Sequence, residues 1–410
     1  MEIGKNGASL KIKYSQVISA LICLHIVFTY CFDEMGGIFR YLNKGILILL
    51  VLLGFVGRVL TVKLKKNGAI ILSTVFAVYG FTLDEYLQGG WSNLFGANIQ
   101  TAVTIALAVM ECFAIYFYAN TKERRELIMK YIAWAGVLLA AVTLILIRGN
   151  IFSGLHSSGI SPYLKQYGYQ SNQMGVNFGL SFIAAIYLWD VYRKRKYMFC
   201  LIVNLVFLFL TGSRKALLYA IIGLFFYFIF SGRRMIALKF MISCVALFII
   251  YYLLITVPAF YNLVGWRILS LISVLTGGEA TDTTWSRINM IKFGVQMIKE
   301  APILGHGFNA FAINYGKRFI NTVYSHNNYI EVMVTGGVVF TALYYSRFII
   351  VIKKLIKKMK DNKEVVICLS FMLSILVADV AAITYYYRIY YICFAFIMAC
   401  AYEKEEERLQ

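Results

Sequence analysis

The sequence predicts an all-α fold: a polytopic membrane helix bundle of about twelve transmembrane helices, with one large loop on its outer side. Three observations carry this expectation. Apolar residues make up 60% of the 410-residue chain and charged residues 15%, against roughly 45–50% and about 25% in an ordinary soluble chain. The apolar residues gather in runs close to the ~20 that cross a ~30 Å hydrocarbon core as helix. Lysine and arginine alternate from one side of these runs to the other. Only three prolines interrupt the chain, and the short alternating segments of a membrane β-barrel are missing.

In order, the expected spans are 15–32, 45–62, 68–83, 99–119, 130–147, 176–192, 197–212, 216–231, 235–257, 329–351, 364–386 and 388–402. Basic residues precede the first, but no small-residue cleavage site follows it, so it reads as a retained span rather than a signal peptide. Alternate gaps hold 25 of the 40 lysines and arginines, including Lys63, Lys65 and Lys66, Arg193 to Lys196, and the run from Lys353 to Lys363; the other gaps hold 13. The positive-inside rule then places both termini in the cytoplasm. Residues 1–410 form a single integral membrane domain, with extracytoplasmic loops at 148–175 and 258–328. The net charge of +20 is accounted for by cytoplasmic loops, and nucleic acid is not expected as a partner. The eight cysteines sit in or beside apolar runs with no CxxC or Cys/His cluster, which supports neither a disulfide framework nor a zinc site.

Within 258–328, Asp282 and Thr283 suit the start of a helix that runs to Glu300 and ends at Ala301-Pro302. Trp285, Ile288, Ile291, Val295 and Ile298 fall on one face of it, as in a helix lying on the membrane or packed over the bundle.

Three polar clusters stand on the outer side. Thr211-Gly212-Ser213-Arg214-Lys215 is a tight turn between two apolar runs, where a buried arginine needs an anionic partner. Trp285-Ser286-Arg287 lies on the loop helix. Tyr324-Ser325-His326-Asn327-Asn328-Tyr329 stands where the loop returns to the membrane, and His326 is one of four histidines. Taken singly, an outer arginine is a headgroup contact or a solvated charge, and a lone histidine is structural. Their shared side favours chemistry. Two guanidinium forks match a pyrophosphate, and a neutral imidazole accepts a proton from a hydroxyl. No paired carboxylates at metal-ligand spacing appear in the large loop, so no metal and no cofactor is expected.

At these residues the chain resembles the O-antigen ligase and O-antigen polymerase superfamily of bacterial membrane proteins. The resemblance rests on Gln170-Ser171-Asn172-Gln173-Met174-Gly175, on Thr211-Gly212-Ser213-Arg214, on Arg287 through Pro302-Ile303-Leu304-Gly305-His306-Gly307-Phe308, and on Ser325-His326-Asn327-Asn328-Tyr329 followed by Gly336-Gly337. Gln-Ser-Asn replaces the family's usual Asn-Pro-Asn, and His306 sits between the two glycines. The motifs cover roughly 165–345.

The resemblance implies a GT-C-like glycosyltransferase of the bacterial inner (cytoplasmic) membrane with an extracytoplasmic active site. Its donor would be an oligosaccharide on undecaprenyl pyrophosphate, and its work would serve surface polysaccharide biosynthesis: capsule, exopolysaccharide or O-antigen. By carry-over, Arg214 and Arg287 bind the pyrophosphate and His326 is catalytic, activating the acceptor hydroxyl without metal. Asn172, Ser213, Asn327, Tyr329, Glu331 and Asp379 are supporting candidates; Glu331 and Asp379 either orient His326, pair with an arginine, or serve as structural partners. The implied partners are the lipid-linked oligosaccharide, membrane lipid, a chain-length regulator and a repeat-unit flippase. The leading function is a polymerase of lipid-linked repeat units. The alternative is a ligase moving finished glycan to a lipid core or a protein, set second because no extra soluble domain is present to recognise a protein acceptor. The third is a polysaccharide transporter or flippase, set last because the ionisable candidates cluster at the outer surface rather than mid-membrane.

Overall fold

A computed structural model of the chain describes residues 4–59, 67–88, 97–147, 160–231, 236–276, 282–320, 322–359 and 362–403. Each of the twelve expected apolar runs falls on a helix over all or part of its described length. These helices are α1 (Gly4–Cys31), α2 (Gly37–Val59), α3 (Gly68–Gln88), α4 (Ala97–Tyr118), α5 (Lys122–Ile147), α6 (Ser171–Tyr192), α7 (Arg195–Leu210), α8 (Arg214–Phe230), α9 (Ile236–Thr256), α12 (Asn328–Lys358), α13 (Lys363–Ala378) and α14 (Arg388–Tyr402). The loop between α9 and α12 adds α10 (Asp282–Glu300) and α11 (Ala310–Phe319), after a short helix at Trp266–Leu275. Seven of the twelve, α1, α2, α4, α5, α6, α9 and α12, are long and apolar enough to cross a bilayer by themselves. The basic clusters at 63–66 and 233–234, the tail beyond 403 and the stretch 148–159 of the first outer loop lie outside the described residues.

The burial pattern is that of a membrane bundle. α14 forms its axis: every residue from Arg388 to Ala401 is buried. α9 lies at the rim, with Phe240, Met241, Val245 and Phe248 all exposed, an apolar face of the kind that meets lipid. Three charged or ionisable groups inside the bundle have close partners, as the cost of an isolated buried charge requires. Arg347 stands in a cage of Phe76, Tyr344, Phe348, Tyr391 and Phe394, each ring centroid 4.4–5.4 Å away. His25 meets Glu111 at 2.8 Å. Arg125 pairs with Glu364 at 2.5 Å and with Glu403 at 2.9 Å, tying together the starts of α5 and α13 and the end of α14.

α13 sets the distance between the two ends of the bundle. Glu364 stands in its first turn and Asp379 caps its end, about 22 Å apart at 1.5 Å per residue. The Asp379 end carries all the residues considered below.

Two expectations are corrected. The run 364–386 is not one continuous helix: α13 stops at Ala378 and residues 379–387 form turns. The cause is a polar knot. Asn328 Oδ1 accepts from the backbone of Thr384 (2.9 Å) and Tyr385 (3.1 Å), while Asp379 accepts from Asn328 Nδ2 (3.1 Å), Tyr345 OH (3.0 Å) and Thr384 Oγ1 (2.6 Å). These bonds compete with the helical ladder and win. The loop helix forms over Asp282–Glu300 as expected, but its buried face is different. Met290 and Met297 are buried with Phe293 and Ile298 beside them, against Phe311, Tyr315, Ile330 and Val334. Trp285, Ile291 and Val295 remain exposed. Gly294 lets α10 approach α12 closely, since a Cβ there would lie 2.3 Å from Ile330.

α12 breaks near its start. Gly336 and Gly337 leave helical geometry, Gly337 with φ +62° and ψ −161°. The segment Pro302–Gly307 fills the break: Val338 N donates to Pro302 O (2.9 Å), His306 N to Val334 O (2.8 Å) and Gly307 N to Thr335 O (2.9 Å). Backbone freed from a helix deep in such a bundle has to find protein partners, and the Pro-x-x-Gly-x-Gly segment supplies them. Its next residue, Phe308, is buried against Phe340 and Tyr385.

Candidate functional site

Three helices begin close together at the Asp379 end: α6 at Ser171, α8 at Arg214 and α12 at Asn328. Side chains tie their first turns to one another. Ser213 caps α8, its Oγ accepting from Ala216 N, and the same hydroxyl donates to Asn172 Oδ1 at 2.9 Å. Thr211 braces the turn, accepting from Ser213 N (3.3 Å) and donating to Leu208 O (2.7 Å). Gly212 turns the chain with φ +63°, a region that favours glycine. Gly175 lets α6 meet the turn, because a Cβ there would lie 2.6 Å from that of Ala216. Glu34 secures the start of α6 by accepting from Gln170 N at 2.7 Å; burial raises this carboxyl to about 7.

Across from Ser213 lies the turn before α12. Asn327 caps that helix by accepting from Ile330 N (3.1 Å), and Ser325 Oγ donates to Asn327 O (2.9 Å). Between them His326 has φ +56°, a left-handed conformation in which Asn, Asp and His are enriched. Glu331 Oε2 accepts from Ser325 N at 2.9 Å. Glu331 therefore holds the turn that presents His326 and does not touch the imidazole itself. Tyr324 lies against the His326 ring, centroids 4.2 Å apart.

The polar neighbour of the His326 side chain is Lys215: Nζ and Nδ1 are 3.5 Å apart. Lys215 is buried in the first turn of α8, ahead of the apolar run 216–231. Arg214 and Arg287 both act on it electrostatically, and with burial they push the lysine down to about 7. His326 is pushed down to about 3, first by burial, then by Lys215 and Arg287. Its ring is therefore neutral throughout the physiological range in the free protein. Arg287, from the start of α10, also acts on Tyr324.

Of the residues singled out from the sequence, Arg214, Arg287 and His326 converge with Lys215. Asn172 and Ser213 stand behind the α8 turn, and Asn327 and Glu331 shape the His326 turn. Tyr329 and Asp379 turn toward the helices: Tyr329 OH donates to Leu376 O (2.7 Å) and its ring stacks on Tyr345, while Asp379 centres the knot described above. His306 is a loop contact, 2.8 Å through Nε2 from Met297 O. Sequence reasoning gave Lys215, Tyr324 and Glu34 no role. Lys215 carried a signal, a lysine directly after the capping serine and arginine of an apolar helix; Glu34 carried none.

Chemically, the arrangement suits an anion. Each helix start brings about half a positive charge, two arginines add full charges, and the lysine between them can take a proton near neutrality. Among the described residues, no group of three or more His, Cys, Asp or Glu side chains is arranged to hold a metal ion.

Residues 199–345 match the family model described as O-antigen ligase. The matched segment contains Arg214, Lys215, Arg287, His326 and Glu331, and it supports the resemblance to the O-antigen ligase and polymerase superfamily read from the motifs. No curated protein is significantly similar to the chain.

Proposed function

From this resemblance we propose that the protein is a polymerase of lipid-linked polysaccharide repeat units, transferring glycan from undecaprenyl pyrophosphate to an acceptor sugar hydroxyl outside the membrane. The observation that carries the reading is the gathering of three helix starts, two arginines, a lysine and an imidazole at a single end of the bundle, with Lys215 beside His326. A pyrophosphate diester is the anion that such a site suits: Arg214 and Arg287 take its two phosphates by paired hydrogen bonds, and the helix starts add the positive ends of their dipoles. His326 accepts the proton of the attacking hydroxyl. The attack at the anomeric carbon displaces the lipid pyrophosphate with inversion. The leaving group is already activated, so the reaction needs no nucleotide sugar and no metal.

The topology that goes with this reading has twelve crossings in a GT-C-like bundle of the bacterial inner membrane, both termini in the cytoplasm and 258–328 outside. The excess of Lys and Arg at the opposite end supports it, Lys353 to Lys363 above all. Cysteine labelling of a version without native cysteines tests it. The loop is expected to react from outside the intact inner membrane; reaction only after permeabilisation would reverse the orientation.

The activity test uses purified protein in detergent with a synthetic undecaprenyl-pyrophosphate oligosaccharide, and product length read by gel or mass analysis. The expected result is a ladder of longer glycans, insensitive to chelator. Protein that moves the lipid across a liposome and never lengthens it would refute the transferase reading. The matched family's description favours one second reading, a ligase. It would give a single transfer to a lipid-core or protein acceptor and no ladder. Capsule, exopolysaccharide and O-antigen remain equal outlets for the polymer, and a repeat-unit flippase and chain-length regulator are the partners that this role requires.

A further inference from the structure

The pairing of Lys215 with His326 has consequences for the direction of proton flow. An imidazole that takes a proton at Nε2 must already carry one at Nδ1 or become a cation. At Nδ1 stands Lys215 Nζ, 3.5 Å away, and among the described residues His326 has no other polar partner. An imidazolium at this position would form in a buried site beside Arg287 and Lys215, both of which oppose it. The charged and titratable groups around the pair are Arg214 on the same helix, Arg287 from α10, and Tyr324 beside the ring; Glu331 is turned to Ser325 N. Among the described residues, no carboxylate therefore faces the pair as the aspartate faces histidine in a serine-protease triad.

We propose that Lys215 is the proton sink of the reaction: as a neutral amine it accepts the Nδ1 proton of His326 while Nε2 takes the proton of the acceptor hydroxyl. This deepens the transferase reading and rests on it. The step balances. The acceptor O–H bond breaks and an Nε2–H bond forms. The Nδ1–H bond breaks and an Nζ–H bond forms, so the imidazole changes tautomer and never becomes a cation. The new glycosidic bond forms as the bond from the anomeric carbon to phosphate oxygen breaks, and its electron pair leaves with the lipid pyrophosphate.

Charge accounting explains why the sink is a lysine between two arginines. A pyrophosphate diester carries two negative charges, which Arg214 and Arg287 offset. Lys215 is then a surplus cation, and burial, the largest cause of its lowering, disfavours its ammonium form relative to an ordinary lysine. When the glycosyl bond breaks, the leaving pyrophosphate gains a third negative charge, and the ammonium formed on Lys215 offsets it. The proton thus arrives where and when a positive charge is needed. Lys215 acts through His326 and is a positioning residue in that sense.

The test measures initial rates of chain growth by purified full-length protein on the synthetic lipid-linked oligosaccharide, from about pH 5 to about pH 9. For the wild type, kcat is expected to rise through a limb near neutrality as Lys215 loses its proton, with donor KM nearly constant. Lys215→Arg can still hydrogen-bond at Nδ1, but its guanidinium is permanently charged and cannot be a neutral base. It should bind donor with KM within about threefold of wild type and lose kcat by ~10²–10⁴-fold, the usual worth of proton transfer. Lys215→Met should lose kcat comparably and lose the limb. Arginine restoring kcat to within about threefold of wild type would mean a hydrogen-bonding role only and would overturn the relay. If Lys215→Arg does not fold, as judged by elution profile and donor binding, the wild-type profile decides: a kcat flat across that pH range overturns the relay. Wild-type protein that binds the lipid-linked donor and never lengthens it overturns the transferase reading instead, so the two failures are distinguishable.

Discussion

Replacing Gly337 by alanine tests whether the Pro302–Gly307 segment is what completes α12. Its φ of +62° with ψ −161° is a conformation held almost only by glycine, and a side chain there stores about 1–3 kcal/mol of strain. The added Cβ would lie 2.2 Å from Ile303 O and 2.7 Å from Leu304 N. Both are backbone atoms, so the segment itself must move. Moving it threatens the three hydrogen bonds at 2.8–2.9 Å that join it to α12, and each buried partner left unpaired costs about 1–3 kcal/mol. Loss of a single bond together with the strain gives ~2–6 kcal/mol. The control is Gly45→Ala in the middle of α2, where a Cβ meets nothing within 4 Å; there alanine should stabilise by about 0.5–1 kcal/mol. Thermal loss of the monodisperse elution peak in detergent, with chain-lengthening rate per folded molecule, ranks the two against wild type. Gly337→Ala should melt well below wild type and Gly45→Ala at or above it. A Gly337→Ala protein as stable and active as wild type would refute the claim that the segment seals the break.

Arg125→Ala strands Glu364 and Glu403 in the bundle, and breaking a buried pair of this kind costs about 3–5 kcal/mol; membrane yield and melting should fall sharply, with Glu364→Gln less severe. Ser213→Ala removes the α8 cap and the bond to Asn172, for about 1 kcal/mol, and should raise donor KM more than it lowers kcat; an unchanged KM would separate the turn from donor binding. His326→Asn keeps a residue suited to the left-handed turn while removing the base, so it should fold and bind donor with a large loss of chain growth. The depressed pKa of His326 also sets a sign for stability. Unfolded histidine takes a proton below ~6.5, while the folded ring resists until about 3. Stability should therefore decline as pH falls through that window, and the His326→Asn protein should decline less; equal slopes would mean the ring is not held neutral.

The helical membrane bundle and the polar clusters of Arg214, Arg287 and His326 were legible in the sequence by itself, because run length and residue type are one-dimensional signals. The helix Asp282–Glu300 was legible too, from its capping residues and the Ala301-Pro302 stop, but the face it buries was not. Met290 and Met297 are chosen by what α11 and α12 bring against them, and no helical periodicity contains that. The unwinding after Ala378 depends on Asn328, fifty-one residues away from Asp379, and an apolar run says nothing of a distant amide that captures its backbone. The roles of Glu331 and Asp379 divided in the same way: the sequence left each open as a partner of His326, of an arginine or of the structure, and only packing showed each engaged with backbone and side chains other than His326. Lys215 is the clearest case. Its place beside Arg214 is written in the chain, but its burial and its imidazole neighbour 111 residues away arise when the starts of α8 and α12 meet. Those two facts turn an ordinary surface cation into a candidate acceptor of protons, because electrostatics in a buried site depends on neighbours in space rather than in sequence.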